Sequence, residues 1–319
     1  MAIRVAVIGA GMAGLSSACR LRESGINVVV FEKSCGLGGR MATRRTHFGM
    51  FDHGAQYFTA RDADFRMLVD RLCGSGHAAP WFSESFAGRP AMNAPAKFLS
   101  EGLDVVSGCE VTGLVREHRG WRLAAKGEAA ASPRAEQFDA VVLAIPAPQA
   151  ATLVASAGAH LDGLSNIRMA PCWALMAAFE HPCRWGDAHE NLDHPAIAWI
   201  SDNSRKPGRS AATINLTVHA TAQWSRDNLE LSNDEARDQM LRILENAVGG
   251  IARPIFAVAH RWRYALVEQP AGTPFLWDAN LRLGACGDWC LGPRVECAFQ
   301  SGNALGRFVS GFLGELNEH

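Results

Sequence analysis

The sequence predicts an α/β protein in which a Rossmann-like dinucleotide-binding domain, assembled from both ends of the chain, is interrupted by an α+β substrate domain. Three observations predict it. The apolar run Ile3–Ile8 leads directly into Gly9-Ala10-Gly11-Met12-Ala13-Gly14, and a second run, Asn27–Phe31, ends on the acid Glu32. From Met169 the pattern changes to separate strand-like runs. From Leu281 it returns to one buried strand followed by a long amphipathic helix.

The elements follow in order. Ile3–Ile8 has the continuous β-branched character of a parallel strand covered on both faces. Gly9 permits the tight turn after it, Gly11 lets a pyrophosphate reach the backbone, and Gly14 lets the next helix pack on the strand. That helix runs from about Met12 to Ser24 and stops at Gly25. Its first N–H groups, on Met12, Ala13 and Gly14, suit a phosphate. Glu32, followed by Lys33, stands where a carboxylate accepts hydrogen bonds from adenosine ribose hydroxyls. By itself the motif is also compatible with a glycine-rich turn in another α/β protein.

Arg61–Cys73 carries Phe65, Leu68, Val69 and Leu72 on one helical face. Leu103–Val106, Glu110–Arg116 and Trp121–Ala124 read as strands of a small sheet, and Ala140–Ile145 as a buried strand. Further strands are expected at Trp173–Phe179, Ala196–Ile200, Ala212–His219 and Ile255–Trp262, with a helix near Asn233–Val248. Strand Leu281–Cys286 and a helix from about Val295 to Leu316 close the chain. The expected division is 1–75, 100–158 and 275–319 for the nucleotide domain, and 76–99 and 159–274 for the substrate domain.

Composition narrows the partners. The chain has 319 residues, 48% hydrophobic and 20% charged, with a formal net charge of −1. Such a balance fits a soluble two-domain protein and gives no field for nucleic acid or an anionic membrane surface. Nine cysteines occur without a CxxC pair, which suggests buried free thiols in a reducing compartment. The first apolar run ends in the glycine motif instead of a cleavage site, and no apolar stretch approaches the ~20 residues that span a bilayer. A cytoplasmic location is the expectation. His47 and His53 lack surrounding ligand spacing, so no metal is expected.

Gly36-Leu37-Gly38-Gly39-Arg40, with Met41 after it, resembles the second glycine motif of the glutathione-reductase-like flavoproteins, which runs beside the pyrophosphate. Leu283-Gly284-Ala285-Cys286-Gly287-Asp288 resembles their closing strand, where the aspartate meets the ribityl chain or the pyrophosphate. In this order the two motifs select FAD. Asp52-His53-Gly54-Ala55-Gln56-Tyr57-Phe58 places a Gly-Ala pair where backbone must come close to something. The same likeness puts Val111 against adenine and the opening of the last helix, Arg294-Val295-Glu296, at the flavin pyrimidine edge. A helix N-terminus there would stabilise the negative charge of reduced flavin.

The ordered set VIGAGMAGL, EKSCGLGGRMATRR, DHGAQYFTARD, VVLAIPAPQA, HATAQW and CGDWCLGPRVECAFQSG runs through nearly the whole chain. It resembles the renalase-like branch of the flavin amine oxidase superfamily, particularly its bacterial members. The resemblance implies a p-hydroxybenzoate-hydroxylase-like fold. It also implies oxidation of the 2-dihydro and 6-dihydro isomers of NAD(P)H, with hydride passing to flavin N5 and dioxygen returning as hydrogen peroxide. Two features separate the chain from many amine oxidases. No lysine lies between 127 and 205, and Arg294 stands where a tyrosine is common.

Tyr57, Trp289, His219 and Arg294 are the candidate catalytic residues, with Gln56, Trp173, Trp199, His260 and Trp262 as wider pocket candidates. Arg205, Lys206 and Arg209 are either contacts to substrate phosphates or a solvated loop face. Neither Cys290 nor Cys297 sits in a pattern that forces a thioether link, so non-covalent flavin is expected. An amine oxidase, a desaturase-like enzyme on a bulkier apolar substrate, and a flavin-binding protein without turnover are the alternatives.

Overall fold

The computed structural model describes residues 3–118, 120–127, 137–180, 189–209, 212–249 and 252–317. Its first sheet has six strands in the order Leu276–Asp278, Leu283–Ala285, Ala140–Leu143, Arg4–Ile8, Asn27–Glu32, Asp104–Ser107. Neighbours run parallel except at the Leu276–Asp278 edge. Val5, Ala6 and Val7 have no exposed surface, nor do Val141, Val142 and Leu143. Burial on both faces accounts for the unbroken apolar runs seen in the sequence. Strands from the two chain ends therefore lie in one sheet.

The helix Met12–Glu23 packs on the last helix, Val295–Asn317, at backbone contact distance. A side chain at Gly302 would collide with the Ala13 carbonyl oxygen, and one at Gly306 would come 2.8 Å from the Ser17 carbonyl oxygen. This contact fastens the end of the chain to the helix that opens the nucleotide motif.

The stretch expected in a small sheet divides. Asp104–Ser107 joins the parallel sheet, with Val30 opposite Val105 and Phe31 opposite Val106. Val106 is buried there, and that burial outweighs local proximity to the next hairpin. Glu110–Glu117 and Gly120–Lys126 form a separate two-stranded sheet. The Cys109 N–H donates to the Glu32 carbonyl at 2.9 Å, so the hairpin hangs from the end of the second strand.

The second large sheet is antiparallel, in the order His189–Asn191, Ile197–Asp202, Ile214–Ala220, Arg168–Phe179, Phe256–Gln269. Trp173, Leu175, Ala177 and Phe179 point to the helix Asn233–Val248, which covers them with Ala236, Met240 and Leu244. Ser232 and Glu235 form a capping box that starts this helix. Met176 and Ala178 face the other way, onto Phe51 of the hairpin Thr43–Thr46/Gly49–Asp52. The last strand continues seven residues past the expected Trp262, because Leu266, Val267 and Gln269 pair with Ala170, Met169 and Arg168 beyond register shifts. Among the described residues no helix is long and apolar enough to cross a membrane.

Gly302→Val should cost ~1–3 kcal/mol through overpacking against the Ala13 backbone. Urea titration is the check: the midpoint should fall with an unchanged slope. An unshifted midpoint would show that the two helices have room to separate.

Candidate functional site

Backbone geometry builds a cradle at the C-terminal end of the first strand. Gly9 has φ +106°, and a side chain there would come 2.5 Å from the Ala144 carbonyl oxygen. Gly14 lies so close to the Gly9 carbonyl that only glycine fits. Gly11 precedes the helix without a side-chain cap, and nothing lies within 4 Å of where its side chain would begin. The first helical N–H groups, on Met12, Ala13 and Gly14, thus meet no capping side chain. Gly38 donates to the Ala10 carbonyl at 2.9 Å, and the position of a Gly39 side chain is 3.6 Å from the Gly11 Cα. Two glycine motifs therefore share one backbone-lined channel. This arrangement fits the pyrophosphate of FAD.

Glu32 is buried at one end of this channel. Its Oε2 accepts from the Ala10 N–H at 2.9 Å and its Oε1 from the Ser34 N–H at 2.8 Å. Each oxygen keeps lone-pair capacity for a ribose hydroxyl. Lys33 beside it is exposed, and Val111 is buried on the hairpin tied to Glu32. At the other end Arg40 makes a bidentate bond to Asp288, 2.8 Å from Nη1 to Oδ2 and 2.6 Å from Nη2 to Oδ1. Its Nη1 also reaches the Ala265 carbonyl at 2.9 Å. The second glycine motif and the closing strand are thereby joined by charge. Met41 is buried and Gly287 donates to Ser301 Oγ at 3.0 Å.

Three expected site residues are engaged elsewhere. Trp289 is fully buried, and its indole Nε1 donates to the Ile145 carbonyl at 3.0 Å. It is core of the nucleotide sheet, and the expectation of a substrate contact is corrected. Trp173 is likewise buried under the helix Asn233–Val248, with Nε1 on the Asn228 carbonyl at 3.0 Å. The Glu296 carboxylate accepts the N–H groups of Arg61 and Asp62 at 2.5 and 2.7 Å, anchoring the start of the helix Ala63–Gly74. Arg294 is exposed, 3.3 Å from Glu296, and Val295 is half-buried.

The Gly54-Ala55 pair approaches the second glycine motif. Ala55 donates to the Arg40 carbonyl at 2.8 Å, and any side chain at Gly54 would overlap that oxygen. The chain then presents buried Gln56 and exposed Tyr57 to the antiparallel sheet. On that sheet Trp199 lies opposite His219, His219 opposite Ala174, and Ala174 opposite His260. Residues directly opposite share a face, so both histidines and Trp199 line one row. The His53 carbonyl sits above it, accepting from Trp262 Nε1 at 2.8 Å and 3.2 Å from His219 Nε2. The His53 ring stacks on Trp262 at 5.2 Å and meets His260 edge-on at 4.8 Å.

Lys206 and Arg209 are neither a solvated face nor free phosphate ligands. Both side chains are buried against Asp52, with Lys206 Nζ at 2.9 Å and Arg209 Nη2 at 2.5 Å from Oδ2. Lys206 also donates to the carbonyl and the Oε1 of Gln56, each at 3.0 Å, and its ammonium lies 4.8 Å from the Trp81 ring centre. Ser201 Oγ donates to the same Gln56 Oε1 at 2.7 Å. The polar run Ser201–Arg209 carried no periodicity that signals burial. Arg205 stays half-exposed, 3.5 Å from Asp202.

Burial dominates the titration of this region. It pushes His53, His219 and His260 down to about 4, with His260 and Arg44 adding to the effect on His53. Burial lowers Lys206 to about 8 against the opposing pull of Asp52. For Asp52 burial acts upward, but Lys206 and Arg209 outweigh it and hold the carboxyl below its ordinary value. The eight described cysteines are free, and Cys183 lies outside the described residues. Cys290 and Cys297 are buried, with burial pushing the Cys290 thiol up to about 12.

Comparison with known proteins agrees with this geometry. Residues 7–72 match the NAD(P)-binding Rossmann-like domain, and residues 79–276 match the flavin containing amine oxidoreductase family. A mitochondrial protoporphyrinogen oxidase of Nicotiana tabacum is 41% identical over 69 residues, 22% of this chain and 14% of that protein. A 4,4'-diapophytoene desaturase (4,4'-diaponeurosporene-forming) of Staphylococcus aureus is 42% identical over 52 residues, 16% of this chain and 10% of its own length. The chain thus matches only a small part of these relatives. Among solved structures, a provisionally assigned protoporphyrinogen oxidase from Exiguobacterium sp. 255-15 superposes with a TM-score of 0.74 at 13% identity, over 97% of this chain and 99% of that one. A putrescine oxidase solved with putrescine bound gives 0.66 at 13% identity over the same shares. At that identity the likeness is one of fold.

The depressed histidines set a pH window. Unfolded histidines titrate near 6.5, whereas His53, His219 and His260 in the fold titrate near 4, so the unfolded chain binds more protons between those values. Stability should be fully present above pH 6.5 and be lost progressively as pH falls towards 4. Urea unfolding across pH 7.5 to 4.5 should show this decline, and His260→Phe should make it shallower. An identical slope in the variant would remove His260 from the account.

Proposed function

The chain belongs to the flavin containing amine oxidoreductase family, and from that premise we propose that it oxidises the 2-dihydro and 6-dihydro isomers of NAD(P)H. It is an FAD-dependent oxidoreductase. When bound, FAD supplies the two-electron acceptor and, in an oxidase, passes those electrons to dioxygen to give hydrogen peroxide. Gly11, Gly39 and the N-terminus of the helix Met12–Glu23 would hold the pyrophosphate, Glu32 the adenosine ribose, and the Arg40–Asp288 pair the segment between pyrophosphate and ribityl chain.

The observation that carries the substrate reading is the neutrality of the substrate face. His53, His219 and His260 are uncharged near neutral pH, and the donors of Lys206 are committed to Asp52 and Gln56. A dihydronicotinamide that loses hydride becomes an aromatic pyridinium, so no proton has to be removed. Such a reaction asks the protein for a flat wall that fixes a ring in reacting geometry. The exposed Tyr57 ring, backed by Trp199 at 5.5 Å with the planes 40° apart, offers that wall. In this reading Tyr57 touches the substrate, the Gln56 loop sets its height above the cradle, and the histidines keep the face apolar without adding a charge.

The test is anaerobic mixing of the flavin-loaded protein with borohydride-treated NAD+, which contains the 2-, 4- and 6-dihydro isomers. The flavin band should bleach with the mixture and not with pure 4-dihydro NADH, and peroxide should form when air returns. In single turnover Tyr57→Ala should slow bleaching by about 10-fold or more, the scale of ~1.4 kcal/mol lost from the transition state. Bleaching by primary or secondary amines alone would replace this reading with amine oxidation.

A further inference from the structure

Most cations around the substrate face are engaged by acids. Lys206 and Arg209 meet Asp52, Arg205 meets Asp202, Arg40 meets Asp288, and Arg261 and Arg263 meet Glu230. Arg44 differs: it is exposed and makes no hydrogen bond or ion pair among the described residues.

Its position separates it from an ordinary surface arginine. Arg44 lies opposite Phe51 in the hairpin Thr43–Thr46/Gly49–Asp52, and residues directly opposite share a face. Phe51 turns that face onto Met176 and Ala178 of the antiparallel sheet, with its ring 5.7 Å from that of Phe256 on the edge strand. Arg45 reaches instead to Asn93 Oδ1, at 3.3 Å. Along the edge strand Phe256, Val258 and His260 stand opposite Ala178, Met176 and Ala174, so His260 continues the row that the hairpin covers. The Arg44 charge is felt at that point. After burial it opposes protonation of His260, and after burial and His260 it opposes protonation of His53.

The row of the substrate face crosses four strands, from Trp199 through His219 and Ala174 to His260. Tyr57 packs on Trp199 at one end, and Arg44 stands by His260 at the other. Three strand spacings of ~4.8 Å set these ends ~14 Å apart. A bare ring against Tyr57 does not cover that span. A ring that carries a ribose and phosphates extends along it, over neutral side chains, to the one cation left without an acid.

We infer that Arg44 is an anion-binding residue that takes a phosphate of the substrate while the ring lies against Tyr57. The inference rests on the reading given above, in which the substrate is a dihydronicotinamide dinucleotide. A guanidinium suits the task because its planar fork meets two phosphate oxygens at once. The phosphate is the pyrophosphate shared by both dinucleotide forms or the 2′-phosphate carried only by the NADP form.

The experiment reads binding, not turnover. FAD-loaded protein is titrated with nicotinamide riboside, NAD+ and NADP+, and perturbation of the flavin spectrum gives each Kd. At low salt Arg44→Gln should weaken dinucleotide binding by about 5-fold, the upper end for an exposed ion pair, and leave the riboside Kd the same. Arg44→Lys should retain part of that affinity, and raising the salt should shrink the gap between wild type and Arg44→Gln. An equal loss for NAD+ and NADP+ places Arg44 on the pyrophosphate, and a loss confined to NADP+ places it on the 2′-phosphate. Flavin content and the thermal midpoint confirm that the variants are folded. Dinucleotide Kd values that stay the same in Arg44→Gln, or a riboside Kd weakened by the same factor, would overturn the inference, as would a wild type that binds neither dinucleotide more tightly than the riboside. An Arg44-dependent affinity in a protein that fails to bleach with dihydronicotinamides would leave this site standing and sink the proposed reaction. Bleaching by the isomers with no effect of Arg44→Gln on binding would do the reverse.

Discussion

The buried charge cluster at Asp52 is the constraint on which the arrangement of the site depends. Removing an ion from water costs several kcal/mol, so a buried carboxylate persists only when its attraction to nearby cations and its hydrogen bonds offset that cost. Asp52 meets the condition with Lys206, Arg209, the Thr43 hydroxyl at 2.6 Å and the Met92 N–H at 3.2 Å. The partners come from three different segments. Thr43 belongs to the hairpin after the second glycine motif, Met92 to the loop before the helix Ala94–Ser100, and Lys206 and Arg209 to the turn after strand Ile197–Asp202. One carboxylate thus fixes the relation between the cofactor cradle and the sheet that faces it. Hydrophobic contact alone, such as Phe51 on Met176, holds the same surfaces together but is non-directional. The ion cluster sets their register.

From that cluster the geometry passes outwards by hydrogen bonds of known direction. Lys206 holds both oxygens of Gln56, Ser201 donates to the Gln56 side chain, and Gly54-Ala55 is pressed on Arg40. Tyr57 is the next residue along, so its position follows from buried partners even though its own ring is exposed. The Arg40–Asp288 pair makes a second tie, between segments separated by 248 positions. It has a half-buried guanidinium and a bidentate geometry, which lends it directionality that a single surface ion pair lacks.

What was legible in the sequence is what the backbone dictates locally. Gly9, Gly11, Gly14 and Glu32 lie within one βαβ unit, and their roles follow from allowed dihedrals, close approach and a helix terminus. A short window of sequence contains all of that information. Four of the five described strands of the antiparallel sheet were legible for a related reason, since apolar runs of strand length carry their own period; the edge strand His189–Asn191, three polar residues, carries no such run. The side-chain alliances were not legible. Lys206 lies 154 positions from Asp52 in a segment rich in Ser, Asn, Asp and Arg, and local pattern reads such a segment as solvated. Glu296 follows a cofactor motif yet serves the backbone of Arg61 and Asp62, a contact that only the fold creates. Trp289 shows the same limit: adjacency to Asp288 says nothing about which way an indole turns, and here it turns into the core towards Ile145.

The electrostatic character of the site follows from these placements. The charges of Asp52, Lys206 and Arg209 are paired with one another, as are those of Arg40 and Asp288. The histidines that remain are kept neutral by burial. On the proposed reading, a ring entering beside Tyr57 meets π faces and neutral imidazoles, in a medium where dipoles count for more than they would in water. Substrate binding then falls on the antiparallel sheet and redox chemistry on the parallel one, and the buried Asp52 cluster ties the segments of the two together.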